Sequence, residues 1–314
     1  MKRFLISIFI FTLLFTLSYP VYLFIFGSIP VIQLPNLAYK LGGYGHLHSR
    51  LHEIDKFKDV DILFLGSSHA YRGFDVRIFE KSGFKTFNLG SSAQTPIQTQ
   101  LLLDRYLNSL NPKLVIYAIS PSSFSSDGVE SAVDIISNSK NDILSMNMAL
   151  KINHPKVYNT LIYGFMRDIF KLNSNFNQPV QEKATGYIDT YISGGYVEKS
   201  TNIHFNANAT EEKYPESEII FLHYQLNAFK EIISYFKTRN IEYILVRTPV
   251  ANYNISKNND EFNNVMQQYG QYIDFNKIFN FTDNYYYDAG HLKQEGAEIF
   301  SARVSDLVGS LNIK

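Results

Sequence analysis

A serine hydroxyl is a poor nucleophile at neutral pH. It needs an adjacent base to take its proton and donors to meet the developing oxyanion. An imidazole can be that base, and a carboxylate can orient it. This chain carries such residues in two separated stretches. In Asp61-Ile-Leu-Phe-Leu-Gly-Ser-Ser-His-Ala70, a short apolar run breaks at Gly66 into two serines and a histidine. Far downstream lies Asp288-Ala-Gly-His291, whose spacing lets both side chains project into one site. Together they form a candidate split triad. Each motif alone is weak, and position is what strengthens the pair.

The position comes from the elements around them. Asp59–Leu65 reads as a buried parallel strand, and open α/β sheets place their chemistry at the C-terminal edge of such strands. Asp75–Ser82 fits a helix that Gly83 can end. Lys85–Leu89 reads as a second strand, ending at Gly90, where a bare backbone N–H could approach a substrate oxygen. Pro96 opens a helix through Leu110, and Asn111-Pro112 stops it. Lys113–Ile119 is a nearly continuous apolar strand. From Ser120 to about 215 the periodicity weakens, apart from a patch at Val157–Leu172, and the region reads as an insertion over the C-terminal edge of the sheet. The rhythm resumes with helix Ser217–Thr238, strand Glu242–Arg247, helix Glu261–Tyr269, strand Tyr272–Phe275 and helix Gln294–Leu311. Five strands alternating with helices predict a parallel sheet with right-handed crossovers.

Composition removes several function classes. The 314 residues carry no net charge, so no basic footprint for nucleic acid is present. The absence of cysteine excludes disulfides, thiolate metal sites and cysteine nucleophiles. At the N-terminus, Lys2 and Arg3 precede an apolar run from Phe4 to about Phe26. That length crosses a bilayer as a helix, and the flanking charges favour a cytoplasmic N-terminus. No clear small-residue cleavage site follows, so residues 1–27 read as an uncleaved anchor and 28–57 as a juxtamembrane connector. The remaining 58–314 would form one extracytoplasmic domain. His46, His48, His52 and Glu53 cluster in the connector, but a polar helix next to the membrane accounts for them better than a metal site.

Gly66-Ser67-Ser68, Asn88-Leu89-Gly90 and Asp288-Ala-Gly-His291 resemble the first, second and fifth sequence blocks of the SGNH (GDSL-like) hydrolase superfamily. The resemblance covers roughly 59–311, with the middle insertion unmatched. The Gly-Ser-Ser form, the Ile119-Ser120-Pro121 segment and the anchor look most like the cell-envelope branch, which includes DltD-type and alginate O-acetylation proteins. It implies an α/β, flavodoxin-like three-layer fold with a five-stranded parallel sheet, preceded by the transmembrane helix. It also implies Ser68 as nucleophile, His291 as base and Asp288 as its orienter, with no cofactor. The N–H groups of Ser68 and Gly90 would form part of the oxyanion hole. Ser67 is the alternative nucleophile, although its place suits a cap of the turn or of the next helix.

One departure stands out. The family's third block supplies an asparagine to the oxyanion hole, whereas this chain reads Ala118-Ile-Ser-Pro-Ser122 there. Losing such a donor typically costs ~100-fold or more in rate. Gln94 and Ser120 are the candidate substitutes. His69, Arg72 and Asn88 are candidate substrate-binding residues. The plainer readings give His69 a local hydrogen bond, Arg72 a surface ion pair and Asn88 a turn. Tyr285–Tyr287 would pack, line the cleft or stack on a sugar ring. The resulting expectation is a serine esterase or O-acyltransferase acting on a small acyl ester of an envelope glycan. Its partners would be the bilayer and a membrane acyltransferase. The alternative is a noncatalytic glycan-binding or assembly module on the same fold.

Overall fold

The computed structural model describes residues 1–43, 45–172, 188–201, 203, 205, 218–253 and 256–311. Helix α1 (Lys2–Gly27) leads to a short helix α2 (Leu47–Glu53), and an α/β unit follows. Its strands are β1 (Ile62–Leu65), β2 (Thr86–Asn88), β3 (Leu114–Ala118), β6 (Glu242–Arg247) and β7 (Tyr272–Asp274). All pair in parallel, in the spatial order β2-β1-β3-β6-β7. Counted within this sheet the order is 2-1-3-4-5, the flavodoxin-like arrangement, whose switch point lies between β1 and β3.

Side-chain alternation sorts the strand residues into two cores. Leu63, Leu65, Val115, Tyr117 and Leu245 point to one face, where α5 (Pro96–Leu110), α10 (His223–Thr238) and α11 (Asn259–Gln267) cover them. Ile62, Phe64, Leu114, Ile116 and Val246 point to the other, where Phe74, Phe79, Phe300 and Val304 bury them. Those partners come from α3 (Ser68–Gly73) and its end, α4 (Val76–Lys81) and α12 (Gln294–Ser310). Both faces are covered, which is why the strands read as unbroken apolar runs.

Helix ends follow local chemistry. Thr95 and Gln98 form a reciprocal capping box at the start of α5, Pro96 takes the first helical position, and Asn111 closes the helix in a left-handed conformation. Asp75 caps α4 by accepting from the Arg77 N–H. The helix expected from Ser217 begins instead at His223. Ser217 itself lies outside the described residues. Asn258 bonds both the N–H and the carbonyl of Ile219, at 2.8 and 3.2 Å, and holds that approach out of the helix.

The expected single insertion over the sheet edge divides into two parts, and portions of it lie outside the described residues. Helices α6 (Pro121–Ser125), α7 (Val129–Asn138), α8 (Ile143–Ile152) and α9 (Pro155–Ile169) come first. Ile135, Ile136, Met148, Val157 and Leu161 extend the core on the α5 side, so these helices thicken one layer. Strands β4 (Ile188–Ile192) and β5 (Tyr196–Ser200) then form an antiparallel hairpin beside α3. Gly194 and Gly195 turn it with φ of 94° and 95°, conformations that favour glycine. A Cβ on Gly195 would meet the Asn88 carbonyl oxygen at 2.3 Å, so the turn is pressed against the end of β2.

Candidate active site

Gly66 makes the turn at the end of β1. Its φ is +134°, and a Cβ there would lie 2.6 Å from the Ala118 carbonyl oxygen. The bend delivers Ser67 to the position before α3 and Ser68 to its first residue. Ser67 was expected to cap, yet its side chain makes no capping bond, so only its backbone carbonyl serves the helix, accepting from the Ala70 N–H at 2.9 Å. As the first helical residue, Ser68 has no acceptor for its N–H within the helix.

The other half of the site is a closed loop. The Tyr287 N–H donates to the His291 carbonyl at 3.2 Å, and the Lys293 N–H to the Tyr285 carbonyl at 2.8 Å. This clasp aims Asp288 and His291 at the serine turn. Ser68 Oγ lies 2.6 Å from His291 Nε2. His291 Nδ1 lies 2.9 Å from each oxygen of Asp288. With the proton on Nδ1, that N–H donates to the carboxylate and Nε2 accepts from the Ser68 hydroxyl. Burial works to raise the Asp288 pKa, but the His291 ring and the Gly290 N–H, which donates at 2.8 Å, outweigh it, and the carboxyl titrates below its usual range. The arrangement can take a proton from Ser68 and hold the resulting imidazolium.

The facing wall comes from the hairpin and from residues the sequence reading left unassigned. Arg72 grips Asp189 with two bonds, at 2.9 and 3.3 Å, and Lys199 reaches the same carboxylate at 3.1 Å. All three side chains are buried, so Arg72 belongs to an internal ion cluster and not to the expected surface pair. Desolvation opposes the charge on Asp189, but Arg72 and Lys199 overcome it and lower its pKa; desolvation lowers that of Lys199. Helix α2 clamps the turn from outside. Arg50 donates to the Gly195 carbonyl through Nε and Nη2, at 3.1 and 2.9 Å. Glu53 accepts from Ser193 Oγ at 2.8 Å and from the Gly194 N–H at 2.7 Å. Glu53 of the histidine cluster is thus spent on the hairpin, and His48 stacks on His52.

Between the walls lies a cavity of about 550 Å³. Ser68 and His291 line it, opposite Lys199, Glu130, Ser92 and Ser122. His69 separates it from a second cavity of about 440 Å³, lined by Ser120, Arg247 and Thr248. The His69 ring stacks on His291 with centroids 5.2 Å apart. Desolvation, with His291 and Arg247 nearby, depresses its pKa to about 3, so it stands neutral beside the triad.

Three expected roles need correction. Asn88 is fully buried; its Nδ2 donates to the Ala70 carbonyl at 2.8 Å and its Oδ1 accepts from the Gly90 N–H at 3.1 Å. It is a strut of the turn and does not reach the cavity. That bond also occupies Gly90, which can meet an oxyanion only by sharing its N–H. Gln94 lines the cavity, but its amide accepts from Ser91 Oγ and donates to Thr99 Oγ1, both at 2.8 Å. Ser120 faces the second cavity and pairs with Ser122 Oγ at 2.7 Å. The missed residues Asp189 and Lys199 did leave a signal: two short runs rich in Ile, Val, Thr and Tyr around Ser193-Gly194-Gly195 suit a hairpin.

No known family profile matches the chain, and no curated protein does. Among solved structures, it is similar to a Bacteroides fragilis protein assigned as an acylhydrolase. The identity is 13% and the TM-score 0.43, over 86% of this chain and 99% of that one. A GDSL-like lipase of Bacteroides thetaiotaomicron is also 13% identical, with a TM-score of 0.39 over 80% and 88% of the two chains. At these values the site must be argued from its own geometry.

Proposed function

We propose that the protein is a membrane-anchored, SGNH-like serine esterase or O-acyltransferase. Its substrates would be small acyl esters, acetyl foremost, of a cell-envelope glycan outside the cytoplasm. The observation that carries this reading is the continuous hydrogen-bonded line from Ser68 Oγ through the His291 ring to Asp288. In the first step the Ser68 O–H proton passes to His291 Nε2 while Oγ bonds to the ester carbonyl carbon. The tetrahedral oxyanion is met by the Ser68 N–H and a shared Gly90 N–H. Collapse breaks the bond to the alkoxy oxygen, which leaves with the proton from Nε2. Water or a glycan hydroxyl then attacks the acyl-Ser68 ester, giving its proton to Nε2, and Ser68 is restored. Asp288 stays ionised throughout and holds Nδ1–H.

The location rests on Lys2 and Arg3 at the start of a 26-residue helix that is long and apolar enough to cross a bilayer. The glycan assignment rests on the hydroxyl-rich lining and on Tyr71 and Tyr287 at the cavity wall. The full-length protein in detergent, given an acetyl ester reporter, should turn it over, and Ser68→Ala and His291→Ala should abolish that turnover. A folded wild type that hydrolyses and transfers nothing would overturn the reading. One observation favours the noncatalytic alternative: the candidate substitutes for the missing asparagine already hold other partners, Gln94 bonding Ser91 and Thr99, and Ser120 pairing with Ser122. Glycan binding that survives in Ser68→Ala, with no turnover by the wild type, is what that alternative requires.

A further inference from the structure

The end of α1 is not a free tether. Residues 2–18 are exposed on every side, but from Tyr19 onward one face of the helix is covered. Tyr19, Leu23 and Gly27, spaced by four, turn toward α9. The Tyr19 hydroxyl donates to Asn159 Oδ1 at 2.9 Å, and Leu23 is buried. The Phe24 ring stacks on Phe170, with centroids 4.8 Å apart, and tilts against Tyr163 at 6.1 Å. Ser28 Oγ lies 3.1 Å from the Tyr163 hydroxyl. A Cβ on Gly27 would stand 3.0 Å from the Tyr163 ring and 2.4 Å from the Leu37 side chain, so both side chains pack directly onto the bare Gly27 backbone.

The depth of this joint follows from helix geometry. A hydrocarbon core of about 30 Å takes roughly 20 residues at about 1.5 Å each. Counted from Phe4, the first apolar residue after Arg3, that length ends at Leu23. The joint with α9 therefore sits where hydrocarbon gives way to headgroups. At the same level, Ile169, Phe170 and Leu172 are 70%, 55% and 48% exposed. Arg167 and Lys171 flank them, and Tyr19, Tyr22, Tyr39 and Tyr163 gather nearby. Apolar side chains edged by cations and tyrosines are the composition of a bilayer interface.

We infer that residues 169–172 are seated in the lipid headgroup interface beside α1, so that the domain rides on the bilayer at a fixed height and tilt. The inference rests on the anchored reading of α1. It commits to lipid as the occupant because the patch continues the lipid-facing surface of α1 through the Phe24–Phe170 stack.

The native chain has no cysteine, so a single introduced thiol gives a unique label. Ile169→Cys in the full-length protein, carrying an environment-sensitive fluorophore, would be placed in nanodiscs containing phosphatidylglycerol. Ile299→Cys, an exposed site on α12, serves as the reference. The label at 169 should be blue-shifted, and shallow nitroxide lipids should quench it at least about twofold more strongly than the label at 299. A label at 169 that is quenched no more than the reference, in protein retained in the nanodisc, overturns the seating and leaves the anchor standing. A blue shift without lipid quenching overturns it in favour of a protein partner. Failure of the full chain to remain in the bilayer defeats the anchored reading and the seating together.

Discussion

The two walls of the central cavity are built on opposite plans. The wall bearing Ser68, Asp288 and His291 is made of short segments at strand and helix ends. Each of its groups is placed by its own immediate neighbours, and one bond of 2.6 Å joins the halves. The facing wall is a hairpin whose Asp189 and Lys199 bind Arg72 of α3, the helix that also carries Ser68. It is tied down by polar contacts across long stretches of sequence, from Arg50 and Glu53 on one side to Arg77, whose guanidinium lies 2.6 Å from Glu198, on the other. The difference separates two jobs. On the proposed function, the first wall would carry reactivity and the second would shape what reaches it.

Variants should split along the same line. Removal of the nucleophile or base touches only the first wall. Ser68→Ala and His291→Ala are each expected to cost roughly 10⁴-fold or more in kcat for an ester reporter, with the thermal transition unchanged. A loss of folding in Ser68→Ala would show that the walls are not independent. Asp288→Asn comes next, at about 10³-fold in kcat with KM little changed, because the carboxylate fixes and stabilises the His291 ring from a half-exposed position. In the second wall, Asp189→Ala leaves Arg72 and Lys199 buried side by side without their counter-charge. It should destabilise the fold by about 3 kcal/mol, read by denaturant titration, and raise KM more than it lowers kcat. A kcat loss matching that of Ser68→Ala would place Asp189 in the reaction itself.

The smallest effect on turnover concerns His69, which lies where the walls meet. Its folded pKa of about 3 lies below its ordinary value of 6.5. Between these values the unfolded chain binds a proton that the folded chain does not, so this residue makes stability fall as pH drops from about 6.5 toward 3. His69→Gln should flatten that part of the stability–pH curve, measured by thermal unfolding at stepped pH. It should leave the acid limb of the kcat/KM profile in place, since a neutral His69 contributes no ionisation there. Disappearance of that limb in His69→Gln would show that His69 ionises in the working range and would contradict its neutral state.

The same contrast explains what the sequence disclosed. Strand β6 and helix α5 were readable to the residue, because periodicity, Pro96 and the Asn111 stop act locally. The approach of Ser68 to His291 and Asp288 was readable because Gly66 ends a strand beside the serines, and Asp288 and His291 lie three residues apart. Asn88 and Gln94 were misjudged because their partners, Ala70 and Thr99 among them, are fixed by tertiary approach and leave no mark in residue type. Arg72 was read as a substrate-binding residue or a surface ion pair, and its burial against Asp189, 117 residues away in a hairpin, excludes only the surface pair. The reading of 28–57 missed that Arg50 and Glu53 reach across to that same hairpin. Local chemistry is written locally, and the wall that needed the whole fold could be drawn only from the whole fold.

An activated Ser68 would reveal itself in a mapped covalent adduct. The full-length protein would be treated with a fluorophosphonate and digested, and the modified residue located by mass spectrometry, alongside His291→Ala. One adduct is expected, on Ser68, forming at least about 10³-fold more slowly in His291→Ala. An adduct on Ser67 or Ser92, or an unmodified Ser68 in folded protein, would contradict that activation.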